Sequence, residues 1–126
     1  MSDLPSIIAA EAILKLNRPT RPKHIEKFFT ELAISLFKIS SVRGRLLGHV
    51  KIFANGVKGG TARANITGTI KSQSVDVNAK NGESEFKVWI NVITYKVEER
   101  ELRRRFALAM ASKTEFIDLR LVNHQH

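Results

Sequence analysis

One segment of the chain, EFKVWINVITYKV at residues 85–97, is apolar on both of the sides that a β-strand would present. Successive side chains of a strand point to opposite faces of its sheet. Alternate residues would therefore line the two faces: Phe86, Val88, Ile90 and Val92 on one, and Trp89, Ile93, Tyr95 and Val97 on the other. Such a strand lies in the centre of a sheet or is covered on both sides. We expect the chain to build a sheet around this segment.

Residues 46–79, which precede this segment, also alternate between apolar and polar side chains. Residues 46–54 and 62–70 are predicted to be two strands joined by a hairpin, and a change of parity predicts a further strand at residues 75–79. Asn81-Gly82 is a strong signal for a two-residue hairpin. Together with residues 85–97, these patterns predict a four-stranded antiparallel meander.

The sequence predicts three helices, each from its spacing of apolar residues or its end signals. Residues 3–17 are expected to form a first helix, because Asp3 is suited to the cap and Pro5 is tolerated in the opening turn. The second helix has an apolar stripe at steps of three and four residues, made of Ile25, Phe28, Phe29, Leu32, Leu36 and Phe37. A third helix is predicted to begin near Glu98, and a short final strand follows at residues 117–121.

The order of these elements predicts an α+β fold with two N-terminal helices, the meander, a C-terminal helix and the final strand. The helices are expected mainly on one sheet face. A length of 126 residues fits one globular domain over residues 1–126. One core is predicted to contain Ile25, Phe28, Leu32, Leu36, Val50, Ile52, Ile66, Val88, Ile90, Leu102 and Phe106.

Charge is the unusual property of the composition, since the formal net charge is +9. No acidic residue occurs between Leu32 and Val75, a stretch that contains seven lysines and arginines. A basic protein attracts polyanions. The absence of cysteine excludes disulfides and thiol catalysis. No long apolar run or signal-peptide pattern is present, so the expectation is a cytoplasmic protein without a membrane partner.

The predicted second face of the sheet combines basic and aromatic side chains, which is the combination that binds single-stranded nucleic acid. The candidate binding residues for nucleic acid or another polyanion are Lys51, Phe53, Lys58, Arg63, Lys71 and Trp89. The pattern does not distinguish RNA from DNA or name the physiological ligand.

The same face has an alternative interpretation as an apolar interface. Trp89, Ile93, Tyr95 and Val97 would form a patch that is buried against another subunit, in a homo-oligomer, or against the first helix. A small-molecule enzyme of unknown class is the third alternative, although no spacing of carboxylates, histidines or hydroxyls indicates a catalytic site. No pattern predicts a cofactor.

Three shorter motifs have ordinary structural interpretations. GVKG at residues 56–59 matches a pattern that clamps RNA backbone between helices, but here it joins two strands and is expected to be a hairpin tip. In the run of arginines at residues 103–105, Arg103 and Arg105 have glutamates one turn earlier, whereas Arg104 has none. His124 and His126 suit only a weak metal contact in a terminal segment.

Overall fold

The computed structural model describes residues 5–42, 45–46, 49–57, 63–68, 73–78 and 83–122. The elements in these ranges follow the order β1 (Ser6–Thr20), α1 (Pro22–Ile39), β2 (Ser41–Val42), β3 (Arg45–Leu46), β4 (His49–Gly56), β5 (Arg63–Gly68), β6 (Gln73–Asn78), β7 (Glu83–Thr94), α2 (Glu99–Ala111) and β8 (Phe116–Leu121). The predicted α+β class with antiparallel strands is confirmed.

Six of the strands form one antiparallel sheet with the order β6-β5-β4-β7-β1-β8, and β2 pairs only with β3. Strand β7 lies inside the sheet, between β4 and β1, as its two apolar faces predict. The predicted four-stranded meander is wrong in its last step, because β7 pairs with β4 rather than with β6. Strand β4 pairs with β5 along one edge and with β7 along the other. Asn81-Gly82, where the sequence predicts a hairpin, lies outside the described residues, and the strands before and after it, β6 and β7, are not neighbours in the sheet.

The first predicted helix is the main error in the sequence analysis, because residues 6–20 form β1. Between residues 8 and 14 of β1 every second residue is buried, namely Ile8, Ala10, Ala12 and Leu14. This strand pairs with β7 on one side and β8 on the other, so its backbone bonds are made within the sheet. Tertiary pairing overrides the helical preference of an alanine-rich segment. The described residues contain two helices rather than three.

Both helices pack on the same side of the sheet. Helix α1 crosses β4, β5 and β6, while α2 lies on β1 and also contacts α1. Two of the buried residues of β1, the strand that α2 contacts, are the small Ala10 and Ala12. Every residue of the predicted core whose side chain is described belongs to this cluster or, for Phe28, packs against it. The side chain of Ile66 lies outside the described part.

Strands β1, β4, β7 and β8 and the two helices form a split β-α-β arrangement. Strand β7 is inserted between β1 and β4, which are parallel to each other, and the helices lie behind the four strands. Among the described residues, no helix covers the other face of this sheet. Neither α1 nor α2 has the length and apolar character needed to cross a bilayer.

Candidate nucleic-acid interface

The face of the sheet that points away from the helices is called the open face. Its side chains alternate with the buried ones along each strand, so the same period that fills the core also builds this surface. Its described members are Ile7, Ala9, Glu11, Ile13 and Lys15 of β1; His49, Lys51, Phe53 and Asn55 of β4; Glu85, Lys87, Trp89, Asn91 and Ile93 of β7; and Ile117 and Arg120 of β8.

An aromatic pair lies near the middle of the open face. Phe53 and Trp89 are directly opposite each other on β4 and β7. Their ring centroids are 5.5 Å apart with an interplanar angle of 41°. Both side chains are partly exposed. The pair therefore presents aromatic surface to solvent from the interior of the sheet, where strands on both sides hold its position.

Two lysines lie on either side of this pair. Lys87 places its Nζ atom 5.3 Å from the centroid of the Trp89 ring, a cation-π contact. Lys51 precedes Phe53 by two residues on β4 and is opposite Asn91. Because Lys87 is four residues from Asn91 along β7, the two lysine positions are about 13 Å apart along the strand direction. Both lysines are exposed.

A bulge in β8 positions a second polar group on the open face. Asp118 has a φ angle of 54°, in the left-handed region, and the register between β1 and β8 shifts at this point. The shift places Arg120 rather than Leu119 opposite Glu11. The Arg120 guanidinium donates a hydrogen bond to the Glu11 carboxylate at 3.0 Å between Nη2 and Oε2. The bulge thus transfers a cation to the open face while Leu119 packs against the core.

A cavity of about 530 Å³ lies along β1 beside this ion pair. Its lining includes Glu11, Lys87 and Arg120, together with Ile13 and Asp118. Lys87 belongs both to this cavity and to the contact with Trp89. The cavity and the aromatic pair are therefore adjacent parts of one surface.

The structure brings together half of the predicted nucleic-acid-binding residues. Lys51, Phe53 and Trp89 are neighbours on the open face. The backbone of Arg63 pairs with Asn55 on β4, but its side chain is outside the described part. Lys58 and Lys71 lie outside the described residues altogether.

Glu11 and Arg120 were missed by the sequence analysis. Glu11 was assigned to a helix, and the bulge that turns Arg120 toward it has no signal in the residue pattern. Lys87, by contrast, can be predicted from the sequence, because alternation along β7 puts it on the same face as Trp89, two residues away.

The residues of the alternative interface are separated by a turn at the end of β7. Trp89 and Ile93 are on the open face, and Tyr95, which follows the strand, is 43% exposed. Val97 is 7% exposed and belongs to the core cluster beneath the helices. Lys96 adopts a left-handed φ of 68° between them, and this turn redirects the chain. Strict alternation, which would put Val97 on the same face as Trp89, stops at this point.

The arginines of α2 are held by local ion pairs on the helical side of the molecule. Arg103 contacts Glu99 at 3.7 Å, and Arg105 contacts Glu101 at 3.4 Å, as the spacing predicts. Arg104 also pairs with Glu101, which corrects the expectation that it has no partner. The hydrogen bond from Arg104 holds the pKa of Glu101 below its usual value.

Within the ranges that the structure describes, no group of three or more histidine, aspartate or glutamate side chains is arranged to hold a metal ion. His124 and His126 fall outside those ranges. No known protein family, no curated protein and no solved structure matches this chain.

Proposed function

We propose that this chain binds single-stranded nucleic acid through the open face of its sheet. The observation that carries the proposal is the Phe53–Trp89 pair, partly exposed and flanked by Lys51 and Lys87. Aromatic rings stack on bases and contribute about 1–3 kcal/mol per base, without much preference for sequence. One class of RNA-binding domain uses aromatic side chains on a four-stranded sheet in this manner.

The charges on the open face also favour a polyanion. Its described side chains include four cations, Lys15, Lys51, Lys87 and Arg120, and two carboxylates, those of Glu11 and Glu85, while a third carboxylate, that of Asp118, lines the adjacent cavity. Glu11 is bound to Arg120, and Glu85 is opposite Lys15 in the register. Lys51 and Lys87 form no ion pair with any described carboxylate. They are the cations best placed to contact phosphates on either side of bases stacked on the aromatic pair.

Trp89 makes the proposal directly testable, because it is the only tryptophan in the chain. Titration with a single-stranded oligonucleotide is expected to quench its fluorescence. In anisotropy measurements with a labelled oligouridylate, the affinity should fall with salt. Lys51→Ala and Lys87→Ala should each weaken binding and reduce the log–log salt slope by about 0.7, the contribution of one phosphate contact. Phe53→Ala should weaken binding and leave the slope unchanged, since stacking releases no counterions.

Lys27→Ala is the matched control. It removes the same side chain from the exposed surface of α1, on the other side of the molecule. If Lys27→Ala reduces the affinity and the slope as much as Lys51→Ala does, the attraction is a diffuse effect of net charge and the proposal is wrong. If a saturating oligonucleotide leaves the fluorescence of Trp89 unchanged, the proposal is also contradicted.

Homo-oligomeric assembly is the second candidate, and a different part of the open face favours it. Ile7 and Ile93 are directly opposite each other on β1 and β7, and neither is fully buried. Tyr95 is exposed just beyond the end of β7. An apolar cluster of this kind at one end of the face is suited to contact with a second copy. The two candidates use overlapping surface, so their dependence on salt separates them.

A further inference from the structure

The cavity beside Glu11 is lined by polar groups that base stacking on the aromatic pair does not use. Its Glu11 carboxylate accepts hydrogen bonds, and its Arg120 guanidinium donates them. The two groups share one contact of 3.0 Å, and 28% of the Glu11 side chain and 73% of the Arg120 side chain are exposed. Each therefore keeps unused capacity on the surface that borders the aromatic pair. Such a pair of groups can distinguish bases by their edges.

We infer that this cavity selects guanine within the bound strand, an inference that rests on the proposed function. Guanine has two adjacent donors, N1–H and the N2 amino group, which match the two oxygens of a carboxylate. It also has two adjacent acceptors, O6 and N7, which match a guanidinium. The nucleotide would keep its phosphate near Lys87, which lines the cavity and contacts Trp89.

The other bases match the two groups less completely. Cytosine and adenine each have one exocyclic amino group for the carboxylate, and uracil has only its ring N–H. None of these three has two adjacent donors for the oxygens of Glu11. An unpaired hydrogen-bonding group at a recognition site reduces the affinity for the wrong ligand. Guanine is therefore the base that leaves fewest groups without partners.

The first measurement compares labelled oligouridylates that differ at a single central position. The oligonucleotide with guanine there is expected to bind at least about fivefold more tightly than those with adenine, cytosine or uracil, the lower end of the discrimination that a bidentate contact supplies. Equal binding of all four would overturn the guanine inference and leave the proposed function intact. If none of the four binds, both are wrong.

Glu11→Gln provides the sharper test, because it should change two affinities in opposite directions. The variant removes a negative charge beside Arg120, so the affinity for the all-uridine oligonucleotide should rise or stay constant. The affinity for the guanine oligonucleotide should fall, since the amide has one acceptor oxygen where the carboxylate has two, and its NH2 group would face a guanine donor in place of the second oxygen. The expected readout is loss of the preference for guanine.

Glu26→Gln is the control variant, because it removes the same charge from the exposed surface of α1. It should raise both affinities slightly and keep the preference. If Glu11→Gln raises both affinities by the same factor, Glu11 acts only through its charge and the inference is overturned. Circular dichroism of both variants verifies that the sheet is retained.

Discussion

Two polar side chains are buried in the described core, Ser40 and Thr94, and each is bonded to backbone groups. The Ser40 hydroxyl is 2.9 Å from the Leu36 carbonyl oxygen and closes the last turn of α1. The Thr94 hydroxyl donates to the Ser40 carbonyl at 2.6 Å, which connects the end of β7 to the end of α1. Arg105 donates to the carbonyl oxygens of Ile39 and Ser41 nearby. These bonds fix the helical layer against the end of the sheet.

Thr94→Val tests the contribution of this buried bond. Valine keeps the shape of threonine but removes the donor, so a carbonyl in a dry environment loses a partner. The free energy of unfolding should fall by about 1–3 kcal/mol, measured by urea denaturation. Thr114→Val, at an exposed position after α2, should change it by less than about 0.5 kcal/mol. Equal effects of the two variants would show that the bond to Ser40 adds no stability.

Side-chain directions could be predicted from the sequence only where strands are regular. Alternation placed Lys51, Phe53 and Trp89 on one face, and the structure places them on one face. It failed at Val97 because the left-handed φ of Lys96 interrupts the period. The left-handed Asp118 moves Arg120 in the same way. Neither position is a glycine, the residue that usually marks such a conformation, and although aspartate adopts it more often than most residues, that tendency alone does not identify Asp118 as a bulge.

At the scale of secondary structure, β1 shows how local preference and tertiary pairing can disagree. Residues 6–14 are rich in alanine and isoleucine, and an acidic residue and a proline precede them. These features are typical of a helix start. The alternation of Ile8, Ala10, Ala12 and Leu14 also fits a strand, and these are the residues of β1 that are buried. Only the presence of two neighbouring strands decides between them, and a single segment cannot reveal its neighbours.

A disulfide cross-link tests the position of β1. The chain has no cysteine, so a pair can be introduced without competition. Ala9 is directly opposite Asn91 on β7. Opposed residues of antiparallel strands have Cα atoms about 4.5–5.5 Å apart, within the range that a disulfide spans. The double variant Ala9→Cys with Asn91→Cys should therefore cross-link under mild oxidation, seen as faster migration in a non-reducing gel.

The pair Ala9→Cys with Lys87→Cys is the control. Lys87 is four residues from Asn91 on the same strand, which is about 13 Å and too far for a disulfide. This pair should stay reduced within one molecule under the same oxidation. If neither pair cross-links while circular dichroism shows a folded chain, residues 6–14 are not a neighbour of β7 and the helical assignment would regain support.

At the scale of the whole molecule, charge and apolar surface act against each other on the open face. A net charge of +9 makes two copies repel, and the exposed lysines of the open face add to that repulsion when two such faces approach. The apolar end at Ile7 and Ile93 favours contact between copies. A bound polyanion neutralises the lysines and also occupies the surface. Nucleic-acid binding and self-association should therefore respond to salt with opposite signs.

Sedimentation velocity at low and high salt measures this balance. At about 50 mM salt the protein should sediment as a monomer, because repulsion between open faces is poorly screened. At about 500 mM salt it should associate, and Ile93→Gln should reverse the association by weakening the apolar contact. Lys27→Gln, on the exposed surface of α1, should leave the association intact.

An oligonucleotide added at intermediate salt should compete with self-association, because both are proposed to use the open face. The expected result is one species whose mass equals one chain plus one oligonucleotide. A dimer that binds the oligonucleotide without dissociating would place self-association on another surface, since Trp89 of the aromatic pair and Ile93 are both on β7, about 13 Å apart. A monomer at both salt concentrations would instead remove Ile7 and Ile93 as a contact between copies and leave nucleic-acid binding as the remaining proposal for the face.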